Sequence, residues 1–411
     1  MTMRMLGLAA LLGLAGCGGA EAAPGAGPVH TLVERGGSNP TVAIDARSGR
    51  GYIAWVGTRD GVSDVYLAVR EIDAAADTVG ARQEVRVNDV AGDAAPHEQA
   101  PAQVGVAPDG SVYVVWQNNT PVEGRRFPAS DVRIAVSTDG GATFAPAITV
   151  NDDAGGAPSS HTFHDLEVAA DGTVYVSWID SRVRDSSGAA AAGAGPEIRV
   201  ARSTDGGRAF GPSAVVDTDP CPCCRTSLAT AADGSVYIAW RKIFEGDRRD
   251  VVVARAEPGT LEFGAPVAVH DDGWIFPGCP HAGPGIAIAG DGTVHAAWYT
   301  GAESRQGLWY ATSTDRADSF SAPAALLTAG WVPPSQVQLA TAGDLLLAVW
   351  DDRREEIGTV TVAVGDGAAP VSASTRRGKA PAVAAAGNAT LIAWLDGEAV
   401  RAQWIVSADA R

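Results

Sequence analysis

The chemically reactive residues of this chain are concentrated in a few short segments. Four cysteines lie in two of them, Cys221-Pro-Cys-Cys-Arg225 and Cys279-Pro-His281. Histidines lie in two more, at His97 and in His161-Thr-Phe-His164-Asp165. Apart from Cys17, these segments hold every cysteine of the chain and four of its 7 histidines. Such clustering indicates either cysteine oxidation or metal binding.

Two chemistries compete for these residues, and a mixture of them is a third interpretation. Soft sulfur together with imidazole suits copper or zinc. A metal site would draw its ligands from Cys221, Cys223, Cys224, Cys279 and His281, joined by His161 or His164. In an exported chain, four cysteines instead normally form disulfides, which here would staple the two cysteine segments together. Cys223 and Cys224 are adjacent, and a disulfide between adjacent cysteines is strained, so pairing all four cysteines is awkward. The mixed interpretation has one disulfide together with a thiol–imidazole pair.

Arginines recur where strands are expected to end. Trp178-Ile-Asp-Ser-Arg182 and Trp350-Asp-Asp-Arg-Arg354 share the pattern Trp-x-Asp-x-Arg, and Arg225 and Arg241 are similarly placed. One interpretation is an aspartate–arginine pair that fixes the following loop. The other is a planar guanidinium that binds a substrate carboxylate through two hydrogen bonds.

The elements that position these segments follow from a repeat that ends in tryptophan. Its copies end at Trp55, Trp116, Trp178, Trp240, Trp298, Trp350 and Trp394. Several copies contain an Asp-Gly turn, such as Asp109-Gly110, followed by an alternating run that ends in the tryptophan, which is typical of a β-hairpin. One apolar strand precedes each turn and two more follow the hairpin, so each period predicts four antiparallel strands.

Repeated units of four antiparallel strands are typical of a β-propeller. The sequence therefore predicts an all-β fold, a single propeller of four-stranded blades. Seven blades are favoured, with six as the alternative because the last two repeats are the shortest. The last repeat, from Lys379, is too short for a full blade. We expect the segment from Val29 to Glu34 to supply its missing strand and so remove two open edges.

This topology sorts the loops onto two faces. Short, stereotyped turns share one face, and the long irregular loops share the other, where binding is expected on a rigid scaffold. The first strand of each blade lines the central channel. Because the cysteine and histidine segments lie at the starts of first strands, we expect them to converge at the channel mouth.

A hairpin motif recurs between third and fourth strands, as Ser137-Thr-Asp-Gly-Gly-Ala-Thr-Phe144 and Ser203-Thr-Asp-Gly-Gly-Arg-Ala-Phe210. A weakened copy, Ser313-Thr-Asp-Arg-Ala-Asp-Ser-Phe320, has Ala317 in place of the glycine. Serine and aspartate oxygens are expected to accept backbone N–H bonds, the glycine to adopt a positive φ, and the aromatic ring to pack inward. The residues with these structural roles are Ser137, Asp139, Gly141, Phe144, Ser203, Asp205, Gly207 and Phe210.

These hairpins match the Asp-box, and with the repeat they make nearly the whole exported chain resemble the sialidase superfamily. The resemblance implies hydrolysis of terminal sialic acids by an arginine triad, a tyrosine nucleophile and an aspartate acid. These roles would fall to Arg225, Arg182, Arg353, Tyr299 and Asp165. The usual Arg-Ile-Pro motif of the first blade is absent, and Ser38-Asn39-Pro40-Thr41 stands there. Catalysis is therefore left open, and any enzyme would be a glycoside hydrolase of the exo-sialidase type.

The N-terminus predicts export. Arg4 and the apolar run from Met5 to Leu14 are typical of a signal peptide, here residues 1–16. Leu14-Ala-Gly-Cys17 resembles a bacterial lipobox, which implies lipidation of Cys17, although an ordinary secretory signal is the alternative. Residues 17–28 would then be a lipidated cysteine with a flexible tether, and residues 29–411 the propeller. We expect a protein anchored to the cell envelope, at its periplasmic face or surface, through lipid alone.

The formal net charge of −17 disfavours nucleic acid and anionic membrane surfaces as partners. We expect a monomer whose partner is a glycan or an envelope protein. Three functions fit the sequence: glycan binding or glycoside hydrolysis at the irregular-loop face, copper or zinc binding without glycosidase activity, and a non-catalytic interaction scaffold. Fold analogy does not choose among them.

Overall fold

The computed structural model describes residues 26–73, 78–79, 83–187, 195–328, 336–342, 345–352, 359–365 and 370–406. The predicted signal peptide, Cys17 and most of the tether lie outside the described residues, as does Arg353.

Strands make up nearly all of the regular structure. The first ten are β1 (Ala26–Val33), β2 (Thr41–Ile44), β3 (Gly51–Arg59), β4 (Val62–Arg70), β5 (Ile72–Asp73), β6 (Thr78–Val79), β7 (Gln83–Arg86), β8 (Gln103–Val106), β9 (Val112–Gln117) and β10 (Val132–Ser137). The next ten are β11 (Ile148–Thr149), β12 (His161–Val168), β13 (Val174–Asp180), β14 (Glu197–Ser203), β15 (Ala214–Asp217), β16 (Ser227–Thr230), β17 (Val236–Phe244), β18 (Arg248–Ala256), β19 (Val267–Ala268) and β20 (Gly285–Ile288).

The last ten are β21 (Val294–Thr300), β22 (Gly307–Ser313), β23 (Ala324–Leu327), β24 (Gln338–Ala342), β25 (Leu345–Asp352), β26 (Thr359–Gly365), β27 (Pro370–Arg377), β28 (Lys379–Ala386), β29 (Ala389–Asp396) and β30 (Ala399–Val406). One α-helix, α1 (Arg182–Ser187), and one 3₁₀ turn (Glu245–Asp247) occur in the described ranges. None of the described helical segments is long and apolar enough to cross a bilayer.

The strands pair into seven four-stranded sheets and one small ribbon of β5 with β6. Six of the larger sheets follow chain order, from β2-β3-β4-β7 to β24-β25-β26-β27. The other has the order β1-β30-β29-β28, so the N-terminal strand supplies the outermost strand of the last blade, as expected. The first strands β2, β8, β12, β16, β20, β24 and β28 contact one another in a closed ring. The chain is therefore a single β-propeller of four-stranded blades.

The apolar core lies between neighbouring blades. The repeat tryptophans stand on second strands, where alternation directs them into these interfaces, and Trp55, Trp178 and Trp298 are at most 1% exposed. Separate clusters join successive blades, including one that joins the last blade to the first through Leu32, Trp55 and Trp404. The ring is thus held by contacts that only a closed arrangement provides.

The predicted hairpin hydrogen bonds are present. In the first copy Ser137 Oγ accepts the Gly141 N–H at 2.8 Å, and Asp139 Oδ1 accepts the Thr143 N–H at 2.9 Å. The second copy repeats this with Ser203, Asp205 and Gly207. Phe144 and Phe210 each pack against a cluster shared by two blades. In the weakened copy Ala317 adopts a φ of 67°, the conformation that glycine adopts at this position elsewhere.

Candidate functional site

The loops that precede first strands converge at one end of the channel, as the topology predicted. The channel itself has a volume of about 440 Å³. Its mouth is a narrow pocket of about 30 Å³, enough for about one water molecule or a single protruding ligand group. The polar side chains that line this pocket are Asn39, Glu98, Gln99, Arg225, Gln336, Gln338 and Asp351.

Arg225 is the cationic residue of this pocket and lines both the mouth and the channel. Its side chain is only 5% exposed. Within the described residues its Nε has no hydrogen-bond partner. Burial lowers the pKa of Arg225, and the charge of Asp165 only partly opposes this effect. A buried guanidinium with an unsatisfied donor is costly, so the pocket offers a binding site for an anionic group.

A second residue that lines the same pocket, Gln336, also has an unsatisfied polar atom. Gln336 donates from Nε2 to the carbonyl of Pro284 at 3.2 Å, while its buried Oε1 has no partner in the described part of the chain. The mouth therefore combines an anion-binding donor with an amide acceptor suited to a hydroxyl group.

The backbone at Gly283 lies very close to the backbone of Arg225, and the lack of a side chain at Gly283 makes this possible. A Cβ atom at Gly283 would overlap the carbonyl oxygen of Arg225. Glycine at this position therefore lets the loop before β20 lie directly against the loop before β16 and fixes the backbone that carries Arg225.

Asp165 and Glu167 alternate along β12 and both face the channel. Asp165 accepts the Leu228 N–H at 2.7 Å, and Glu167 accepts both the N–H and the hydroxyl of Thr230. Burial raises the pKa of Asp165 to about 6 and that of Glu167 to about 7. Each carboxyl can therefore hold a proton near neutral pH, which is chemically compatible with the acid role that the resemblance implied for Asp165.

Tyr299 does not lie at the mouth. Its side chain is fully buried, and its ring packs edge-on against Trp274 with centroids 5.5 Å apart. Burial raises the pKa of Tyr299 to about 12. A phenol inside the interface between two blades does not reach a substrate, so its position does not support the nucleophile role that the sialidase resemblance implied.

Arg182, the first residue of α1, pairs with carboxylates next to it. It contacts Asp180 at 2.8 Å and Asp152 at 2.6 Å, and these carboxylates outweigh burial and raise its pKa. The guanidinium thus pairs with aspartate, as the first of the two sequence interpretations held. With Arg353 outside the described residues, Arg225 is the one residue of the expected triad that the described structure places at the mouth.

His161 belongs to the same ionic network and not to the cysteines. Its Nδ1 contacts the carbonyl oxygen of Ser130 at 2.6 Å, and its Nε2 lies 3.0 Å from Asp153 and 3.5 Å from Asp180. Both ring nitrogens are therefore occupied. This corrects the expectation that His161 joins a cysteine-based metal site.

Three of the cysteines meet at one point. Cys221 Sγ lies 3.0 Å from Cys224 Sγ and 3.7 Å from Cys223 Sγ, and all three residues are buried. None of the four cysteines in the described chain is paired in a disulfide bond, so the structure does not show the fully disulfide-bonded arrangement. The group of converging sulfurs does not include Cys279, which is exposed.

Three further histidines of the predicted site, His97, His164 and His281, are not part of the sulfur group. His164 is buried, and burial, followed by the charge of Arg225, lowers its pKa to about 3, so its ring is neutral. His97 packs edge-on against Phe163 at 5.3 Å, and its pKa is lowered by burial and by nearby His281. His164 thus lies near Arg225, and both His164 and His281 are outside the thiol cluster.

Comparison with known proteins bears on the fold. No protein-family model matches the chain, and no curated protein matches it. Among solved structures, a polysaccharide lyase of family PL25, an ulvan lyase, is similar with a TM-score of 0.60 at 12% identity, covering 92% of this chain and 95% of that one. The Hadza microbial sialidase Hz136 is similar with a TM-score of 0.53 at 14% identity, covering 83% of this chain and 73% of the sialidase. A leech intramolecular trans-sialidase is similar with a TM-score of 0.51 at 9% identity, covering 93% of this chain and 94% of the trans-sialidase.

The chain shares its β-propeller fold with these three structures. Identities this low establish architecture and leave the chemistry to the site itself. Sequence reasoning located the segments at the mouth but did not identify its amide groups, Asn39, Gln336 and Gln338, as binding groups. Their position just before or at the start of a first strand was the available signal. The sequence also did not reveal the role of Arg249, which lies in β18 and donates to Cys221 Sγ at 3.3 Å.

Proposed function

We propose that this propeller is a glycan-directed protein of the cell envelope that binds a carboxylate-bearing saccharide at the channel mouth. The observation that carries the proposal is the buried guanidinium of Arg225, which lines the mouth with its Nε unpaired among the described residues. A carboxylate would satisfy the donors of Arg225 through two parallel hydrogen bonds.

The shape of the mouth supports recognition of one group rather than enclosure of a whole sugar. A pocket of about 30 Å³ admits a carboxylate while the ring of the sugar stays above it. The Gln336 Oε1 atom would accept a hydroxyl donor of the same sugar. Because the chain carries a net charge of −17, attraction of an anionic ligand would have to come from this local guanidinium.

The architecture also supports a glycan ligand, since the structurally similar proteins named above are a sialidase, a trans-sialidase and a polysaccharide lyase. Binding is favoured over hydrolysis of the sialidase type because Tyr299 is buried and Arg182 is paired with aspartates. In this proposal Cys17 carries the lipid that holds the propeller at the membrane, with the loop face free to meet glycans.

The proposal is tested by binding of the full chain to immobilised glycans. The panel contains sialyllactose, oligomers of uronic acids and neutral lactose. We expect a carboxylated glycan to bind, and Arg225→Met to weaken that binding at least about tenfold, the loss expected for a charged hydrogen bond. Arg126→Met, at an exposed arginine of an outer loop, is the matched control and should leave binding unchanged.

Binding of neutral and carboxylated glycans with equal affinity would refute the role of Arg225. A fluorogenic sialoside assay on the same samples separates binding from catalysis. We expect no turnover, and turnover that disappears in Arg225→Met would establish hydrolysis instead.

A further inference from the structure

We propose that Cys221, Cys223 and Cys224 form a three-coordinate site for Cu(I), beside the channel mouth and independent of glycan binding. The site lies in the turn before β16, which also leads into Arg225.

The geometry of the three sulfurs points to a shared ligand. Their separations of 3.0 and 3.7 Å are well beyond the roughly 2.05 Å of a disulfide bond. The turn that gathers them is joined to β17, because the Cys221 N–H donates to the Arg241 carbonyl at 2.8 Å, and it is closed on itself by the Cys224 N–H, which donates to the Cys221 carbonyl at 3.4 Å. One short, anchored segment thus directs three side chains toward a single point.

The surroundings suit a soft ion protected from water. The cysteines pack with Ala100, Phe163 and Ile179, and no cysteine of the three is more than 5% exposed. A dry, apolar shell of this kind limits solvent access and controls the redox behaviour of a bound metal.

Two guanidinium groups balance the charge that such a site would carry. Arg249 donates from Nη1 to Cys221 Sγ at 3.3 Å. Buried Arg241 adjoins the site, since its carbonyl accepts the Cys221 N–H at 2.8 Å, and in the described structure its guanidinium nitrogens donate to the carbonyls of Ala282, Arg249 and Tyr299. Three thiolates and one Cu(I) carry a charge of −2, which two arginines compensate. Among the described residues, neutral thiols would leave the two buried cations with little counter-charge beyond Asp247, which lies 3.8 Å from Arg249.

The number of donors favours Cu(I) over Zn(II). Structural zinc sites take four protein ligands in a tetrahedron. In the described residues no fourth cysteine, histidine or carboxylate belongs to the group of converging donors. Soft thiolates suit both Cu(I) and Zn(II), so it is the count of three converging donors that favours monovalent copper.

A reversible disulfide is the competing explanation, because Cys221 and Cys224 have the spacing of a Cys-x-x-Cys redox pair. Such a pair gives no role to Cys223, although its sulfur converges on the same point. Metal binding accounts for all three sulfurs, and the two explanations predict different results for Cys223.

The full chain, reduced and kept under anaerobic conditions, is titrated with Cu(I) against a chromophoric Cu(I) chelator. We expect one Cu(I) per chain, and X-ray absorption at the copper edge should show three sulfur neighbours. Cys223→Ser should weaken Cu(I) binding by on the order of 100-fold, whereas Cys279→Ser, at the exposed cysteine, is the matched control and should leave it unchanged. Arg249→Met should weaken binding about tenfold, as loss of an outer-shell partner does.

Several results would overturn the proposal. They are unchanged Cu(I) affinity in Cys223→Ser, loss of affinity in Cys279→Ser, and preferential four-coordinate binding of Zn(II). A Cys221–Cys224 disulfide in chain isolated under anaerobic conditions would favour the redox pair instead. X-ray absorption on the unsubstituted chain decides the coordination number even if a cysteine variant does not fold, and sialoside binding is not a readout of this experiment.

Discussion

Two buried arginines of this propeller differ in how their guanidinium groups are satisfied. Arg241 is 1% exposed and donates to three backbone carbonyls at 2.6 to 3.1 Å, which ties β17 to the loop before β20 and to β21. Arg225 is 5% exposed and has an unpaired Nε in the described structure. The first arrangement stabilises the ring, whereas the second costs free energy until a ligand completes it.

Replacement of these arginines should therefore have opposite consequences. Arg225→Met removes a poorly satisfied buried charge and should leave the free energy of unfolding unchanged or raise it by about 1 kcal/mol. Arg241→Met leaves three buried carbonyls without their donors and should lower the free energy of unfolding by at least about 3 kcal/mol. Chemical denaturation of both variants measures this. A large loss of stability in Arg225→Met would mean that Arg225 is structural and not a binding group.

The ionic network at His161 predicts a pH dependence of stability. Burial disfavours the imidazolium, but the hydrogen bond to Asp153 and the charges of Asp180 and Asp153 outweigh burial and raise the pKa of His161 above its usual 6.5. A raised pKa in the folded state gives stability that is complete below about pH 6.5 and is lost as pH rises through the raised value.

His161→Gln should consequently be less stable than the unsubstituted chain by about 1–3 kcal/mol near pH 5, and the difference should shrink near pH 9. Urea unfolding at the two pH values checks this. A difference that grows with pH would show that His161 is neutral in the folded chain and that its contribution comes from something other than charge.

At the scale of the elements, the hairpins between third and fourth strands position each blade against its neighbour. Gly207 has a φ of 76°, and a Cβ atom there would lie 2.9 Å from Tyr113 and from Val136 of the preceding blade. Gly259 has nearly the same φ, 74°, but open space around it. Comparing substitutions at these two glycines therefore separates the cost of backbone strain from the cost of close packing between blades.

Gly259→Ala should lower the free energy of unfolding by about 1 kcal/mol, the cost of the left-handed conformation alone. Gly207→Ala should cost roughly 1–3 kcal/mol more, because the neighbouring blade must also shift. Thermal and urea denaturation of both variants provide the test. Equal losses would show that the hairpin does not transmit packing between blades.

The sequence predicts these elements well because their signals are local. Turn residues, alternation and a serine and aspartate at fixed spacing determine a hairpin without reference to the rest of the chain, as the bonds of Ser137 and Asp139 show. The site was predicted only in outline. Whether Tyr299 faces the mouth or a blade interface depends on packing with Trp274, which lies in another segment. Spacing did reveal Asp180 as a partner of Arg182, but its second partner, Asp152, and the unpaired Nε of Arg225 depend on contacts between segments that are distant in the sequence.

At the scale of the whole molecule, closure of the ring depends on β1. It pairs with β30, and its Leu32 is fully buried in the cluster that joins the last blade to the first. Val29 lies on the same strand but is 51% exposed. Stability of the ring should therefore be sensitive to one side chain of this strand and insensitive to the other.

Leu32→Ala should lower the free energy of unfolding by about 2–5 kcal/mol, as loss of a buried leucine does. Val29→Ala should change it by no more than about 0.5 kcal/mol. Denaturant titration of the two variants measures both. If Leu32→Ala proved as stable as Val29→Ala, the N-terminal strand would not be a working part of the closed ring.

The central claim is that Arg225 at the channel mouth recognises a saccharide carboxylate. Calorimetric titration of the full chain with the tightest-binding carboxylated glycan and with its methyl ester, repeated on Arg225→Met, tests it most directly. The claim predicts that the acid binds at least about tenfold more tightly than the ester and that this preference disappears in Arg225→Met. Equal affinity for the acid and the ester in the unsubstituted chain would contradict it.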